Sequence, residues 1–155
     1  MILCIGVLLM SIYEKNERLG VINGYTINHL TVWVKDLIEN LESEEPNIEE
    51  HNILIEKIYV VAEYIRLQNG VSFLNNPTYD YILYEAKFED FKSKEAMTAL
   101  KKYYETLSWL YDDLEAYEKN YQDYDGNIIT YHYLNTHKEE IKAKFYELRD
   151  YNREN

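Results

Sequence analysis

The sequence predicts a mainly α-helical fold, a single-domain bundle of four to five helices, and three observations carry that expectation. Apolar residues recur at steps of three and four over most of the chain. Breakers are few, with 2 Pro and 5 Gly in 155 residues. Nothing divides the chain: there is no linker, internal repeat or low-complexity tract. A chain of this length buries roughly two-thirds of its unfolded surface, enough for one sizeable core.

The elements follow in order. Residues 1–11 form an apolar run around Cys4, too short for a membrane-spanning helix of about twenty residues. The run lacks the basic leader and small-residue cleavage pattern of a signal peptide. Met10 opens a second plausible start, so the run is either an upstream extension or an extra core element, and the domain proper is expected over 12–155. Cys4 is the only cysteine, which excludes an intrachain disulfide and leaves a reducing, cytoplasmic setting as the default. Its apolar neighbours make it a packing residue.

Leu19 to Tyr25 contains Gly20 and Asn23-Gly24, a pattern that allows a turn or a short β-hairpin. Ile27, Leu30, Val34, Leu37, Ile38 and Leu41 then mark a helix with Thr26 as its N-cap. Glu44, Glu45 and Pro46 punctuate it. Leu54, Ile58, Val61 and Ile65 mark a second helix, stopped by Asn69-Gly70. Residues 71–78 read as a loop, because Asn75-Asn76-Pro77 opposes helix continuation. Tyr81, Tyr84, Phe88 and Phe91 share a face of a third, shorter helix.

The strongest pattern is Leu100, Tyr103, Leu107, Leu110, Leu114, Tyr117 and Tyr121, a heptad seam expected to end at Asp125-Gly126-Asn127. Ile128 to Leu134 is rich in β-branched and aromatic residues and is read as a short strand. Thr136-His137-Lys138-Glu139 has the form of a capping box, and Ile141, Phe145 and Leu148 give the last helix its buried stripe.

The charge narrows the function classes. The chain carries 28 Asp+Glu against 16 Lys+Arg, a net charge of −12. Such acidity argues against direct binding of nucleic acid, whose affinity comes from neutralised phosphates, and against docking on anionic lipid. The charge is also uneven. Asp36 to Glu63 holds nine acids and one base, Lys57 (−8), and Tyr103 to Gly126 holds seven acids and one base, Lys119 (−6). The remainder of the chain is slightly positive. In the second segment Asp112, Asp113, Glu115 and Asp125 are interleaved with Tyr111, Tyr117, Tyr121 and Tyr124. Carboxylates set among aromatic rings match a basic groove built for a phosphate backbone and its bases. Seventeen tyrosines exceed what a core of this size readily absorbs, since each buried hydroxyl needs a partner. Tyr104 and Tyr111, at equivalent heptad positions, are the candidates for an exposed strip.

Searches for catalytic chemistry return little. The glycines are isolated, so no phosphate-binding loop is present, and no serine sits in a nucleophile elbow. None of His29, His51, His132 and His137 has the spacing of a metal-ligand pair. Asp123-x-Asp125-Gly126 resembles the middle of a calcium loop, but Tyr121 and His132 stand where its end ligands belong. Glu42, Glu45 and Glu49, read as one helical face, attract divalent ions weakly at most. No catalytic residue, metal or cofactor is expected.

The leading expectation is a non-enzymatic protein that binds and inhibits a basic partner, such as a nuclease or nucleic-acid-binding complex, by mimicry or occlusion. Small acidic helical proteins without catalytic motifs are common among inhibitors, immunity proteins and phage-encoded antagonists, an analogy of type only. The expected contact residues are Tyr104, Glu105, Tyr111, Asp112, Asp113, Glu115, Glu118, Asp123, Tyr124 and Asp125, with Glu42, Glu45 and Glu49. One alternative is a self-associating protein, a homodimer paired through the 100–121 seam. The other is an enzyme whose site is assembled from scattered residues.

Overall fold

The computed structural model describes residues 2–67, 93–121 and 126–154, which form five helices and no strand. They are α1 (Ile2–Glu42), α2 (Ile48–Leu67), α3 (Lys94–Lys119), α4 (Gly126–Thr136) and α5 (Lys138–Glu154). The expected stop at Asn69-Gly70, the loop at 71–78, the helix bearing Tyr81, Tyr84, Phe88 and Phe91, and the contact residues Asp123, Tyr124 and Asp125 lie outside the described residues.

α1 is the axis of the fold. Its 41 residues make a rod of about 60 Å, packed against α2, α3 and α4, while α3 also meets α4 and α5. Ile27, Leu30, Val34, Leu37 and Ile38 point from α1 into one core. There they meet Leu54 and Ile58 of α2, Leu100 to Leu114 of α3, Tyr133 and Leu134 of α4, and Ile141, Phe145 and Leu148 of α5. Leu8, Leu9, Met10, Ile12 and Tyr13 lie on the N-terminal stretch of the rod and are exposed.

The expected hairpin at 19–25 is instead the middle of α1, and Thr26 is buried mid-helix rather than capping a start. The reason is a close helix crossing. A Cβ on Gly20 would overlap the backbone carbonyl of Asn127 on α4, so glycine admits the α4 backbone there. Glycine inside a helix costs roughly 1 kcal/mol relative to alanine, and at Gly20 the close approach of Asn127 leaves no room for the alternative. Asn23 and Thr26 carry the buried stripe through the same turns.

The expected strand at 128–134 is helix α4. Ile129, Thr130, Tyr133 and Leu134 are its buried residues, at helical spacing, so tertiary burial overrides β propensity. Gly126 begins α4 rather than ending the preceding helix, which stops at Lys119 with Asn120 as its cap. Tyr121 therefore falls past the seam and is exposed. The 136–139 capping box does not form either. Thr136 is the last residue of α4, His137 sits at the corner, and Glu139 pairs with Lys142 at 3.7 Å.

Side-chain amides make the α1–α2 corner. Asn40 accepts from the backbone N–H of Asn47 at 2.8 Å and donates to its carbonyl at 2.9 Å. Asn47 Oδ1 in turn accepts from the Glu50 N–H at 3.1 Å, the N-cap of α2. Ser93 caps α3 in the same way through the Ala96 N–H.

Candidate interaction surfaces

The helix directions decide where the acids lie. Lys101 near the start of α3 pairs with Glu42 at the end of α1. At the other end, Tyr111, Glu115 and Glu118 line a cleft with Gly20, Gly24 and Asn28 of α1. The two helices are therefore antiparallel, and the level of Gly24 is about 27 Å from that of Glu42 at 1.5 Å per residue. The described acids of the two segments do not merge into one face. Of those on α3, Glu105, one turn from Lys101, lies nearest the first segment.

The second segment is itself divided. Leu100, Tyr103, Leu107, Leu110 and Leu114 are buried in the chain's own core. That seam is taken up by the packing of α3 against α1, α4 and α5. On one flank Tyr111 donates to Glu115 Oε1 at 2.7 Å, and Thr130 of α4 donates to Glu118 Oε1 at 2.7 Å. The hydrogen bond from Tyr111, with Lys119 nearby, holds the Glu115 carboxyl below its ordinary range and pushes the Tyr111 phenol up. On the other flank Tyr133 donates to Asp113 Oδ2 at 2.5 Å, and burial together with that bond raises the Tyr133 phenol far above its usual value. Among the described acids of this segment, Glu105 and Asp112 are exposed and accept no hydrogen bond from a neighbouring side chain, beside half-buried Tyr104, Ser108 and Trp109. Lys144 of α5 lies over the Trp109 ring at 4.6 Å.

The expected common face of Glu42, Glu45 and Glu49 is also absent, because the helix breaks between them. Glu42 ends α1, Glu45 is in the bend, and Glu49 is in the first turn of α2. The corner nonetheless gathers several carboxylates outside any ion pair among the described residues. Glu39 is paired with Lys35 and Glu42 with Lys101. Among the described residues, no ion pair engages Asp36, Glu44, Glu45, Glu49 or Glu50.

Beside these acids lies a shallow recess between α1 and α2, lined by Trp33, Asp36, Glu49, Glu50, Ile53 and Lys57 among others. Trp33 ends an aromatic row along α1, stacked on His29 at 4.9 Å, which lies 6.3 Å from Tyr25. The Lys57 ammonium sits 5.7 Å from the Trp33 ring centroid. Sequence reasoning missed this recess. Its signals were the i, i+4, i+8 spacing of Tyr25, His29 and Trp33 and the isolation of Lys57 among nine acids.

Of the remaining histidines, His51 is buried and burial lowers its pKa. His132 and His137 border Tyr117, and His137 also stacks on Tyr133. No group of three or more His, Cys, Asp or Glu side chains among the described residues is placed to hold a metal ion. No helix among them is long and apolar enough to cross a membrane. No known family model, curated protein or solved structure matches the chain.

Proposed function

We propose that this protein is a non-enzymatic binding protein that docks a basic partner, a nuclease or another nucleic-acid-binding protein, and holds it off its substrate by occlusion. The observation that carries this reading is the α1–α2 corner. Five carboxylates without ion-pair partners among the described residues (Asp36, Glu44, Glu45, Glu49 and Glu50) crowd two helix ends and the bend between them. Exposed Ile48 and Ile53 lie among them. Apolar anchors set inside a polar rim are the usual anatomy of a recognition patch, and here the rim carries charge of one sign. A concentrated negative field also speeds encounter with a basic partner. Glu105, one turn from the Lys101–Glu42 pair, extends the same field onto the start of α3, and Asp112 with half-buried Tyr104 forms a separate, smaller acidic patch further along that helix. A cytoplasmic setting is part of the proposal.

The test is association with basic partners captured from the native host. Binding is expected to weaken steeply from low to physiological salt, as exposed charges are screened. Changing Glu44, Glu45 and Glu49 to Lys is expected to cost far more affinity than the same change at Glu139, Glu140 and Glu147. Equal losses, or indifference to salt, would overturn the reading.

A further inference from the structure

The recess between α1 and α2 already holds a cation. Lys57, the one base among the nine acids from Asp36 to Glu63, reaches across from α2 to lie over Trp33. At 5.7 Å from the ring centroid it sits at the long end of the range in which an aromatic face attracts a positive charge. Trp33, Ile53 and Leu54 supply the apolar part of its lining, and Asp36, Glu49 and Glu50 supply three carboxylates. A single ammonium leaves this lining with an excess of negative charge.

We infer that this recess receives an arginine side chain of the basic partner, its guanidinium stacked on Trp33 in place of the Lys57 ammonium. The inference rests on the reading of the corner as a docking surface and names the chemistry that surface selects. A guanidinium is planar and weakly hydrated, so it lies flat on an indole at little desolvation cost. Its five N–H donors point outward in the ring plane, where Asp36, Glu49 and Glu50 can accept them as charge-assisted hydrogen bonds. An incoming lysine would exchange one ammonium for another and gain little. Lys57 is exposed and remains hydrated when displaced, so the exchange strands no buried charge.

The experiment compares a short arginine-rich peptide with its lysine counterpart, both fluorescently labelled, binding to the full chain at low salt. The arginine peptide is expected to bind about three- to tenfold tighter, the size of one cation–π contact. Trp33→Leu should remove that preference while the lysine peptide binds as before. Because Trp33 also packs against the core, a second pair of variants avoids dependence on its folding. Lys57→Gln should tighten arginine-peptide binding more than Lys35→Gln, which makes the same charge change at a lysine already paired with Glu39. Equal affinity for the two peptides, or equal gains from the two lysine variants, overturns the inference. If both peptides bind equally and remain salt-sensitive, the acidic docking surface survives without the arginine recess. If neither binds at low salt, the docking surface fails too. A dimer in sedimentation that Trp33→Leu abolishes would assign the recess to a second copy and overturn the inference.

Discussion

The carboxylates of α3 and those of the α1–α2 corner have the same sign and similar density, yet they are used differently. On α3, Asp113, Glu115 and Glu118 accept hydrogen bonds from Tyr133, Tyr111 and Thr130. At the corner, the side chains of Asp36, Glu44, Glu45, Glu49 and Glu50 accept none among the described residues. The acidity and the tyrosine content of the second segment are thus largely one feature. Half-buried hydroxyls need acceptors, and carboxylates on the neighbouring helix turn supply them. Charge that closes a hydrogen-bond network holds the fold, whereas charge left in solvent projects a field. A count of acids along the sequence does not separate the two.

The largest expected effect tests the α3 side through the crossing that shapes its cleft. Gly20→Ala places a methyl group against the Asn127 carbonyl and is expected to cost about 2–3 kcal/mol or more in thermal or denaturant unfolding. Gly24→Ala, one turn later, meets only the Thr130 side chain, 3.6 Å away. It should instead stabilise by about 0.5–1 kcal/mol through helix propensity. If the two variants behaved alike, the close crossing at Gly20 would be wrong.

Next in size is the contrast itself. Asp113→Ala leaves a buried tyrosine hydroxyl without its acceptor and should cost about 1–3 kcal/mol, with Tyr133→Phe coupled to it in a double-mutant cycle. Glu44→Gln with Glu45→Gln should change stability by no more than about 0.5 kcal/mol while weakening partner binding. The opposite order of stabilities would reverse the roles assigned to the two regions.

Alkali gives a smaller effect. The folded state holds the Tyr133 and Tyr111 protons above their ordinary value of 10.0. Their contribution is complete below that pH and is lost as pH rises through the folded-state values, where the unfolded chain has already ionised. Tyr133→Phe should flatten the alkaline fall in melting temperature. Unaltered alkaline sensitivity would remove Tyr133 from the account.

The smallest effect lies on the corner side, at His51. Its folded pKa is lowered from 6.5 by burial, so as pH falls through that value the unfolded chain takes up a proton the folded chain refuses. Stability declines accordingly, and His51→Leu should reduce that decline. An identical acid slope in the variant would show that burial does not suppress the charge.

What could be read from the sequence follows from what its patterns encode. The stripe from Ile27 to Leu41 and the seam from Leu100 to Leu114 were legible because a single periodicity fixes both helix and buried face. Gly20 and Asn23-Gly24 misled because their turn signal serves a close helix crossing, the passage of Asn127 over Gly20, and Ile128 to Leu134 misled because burial of Ile129, Thr130, Tyr133 and Leu134 overrides β propensity. The α1–α2 corner is built from Asn40 and Asn47, seven residues apart, a spacing that no local capping pattern contains. The acids were visible as charge. Which of them meet a hydroxyl depends on α3 and α4 coming together, and that is written in no single segment.

The Asn40–Asn47 clasp and the packing of α2 on α1 place the corner on an element whose principal contact, among the described helices, is α1 alone. Such an element opens as a unit at a free energy below that of global unfolding. Its amides should exchange with solvent sooner than those of α3, which packs on α1, α4 and α5. A partner seated on the corner closes that opening, so hydrogen exchange in α2 would report occupancy before any change in melting temperature. The affinity measured there includes the free energy of keeping α2 closed.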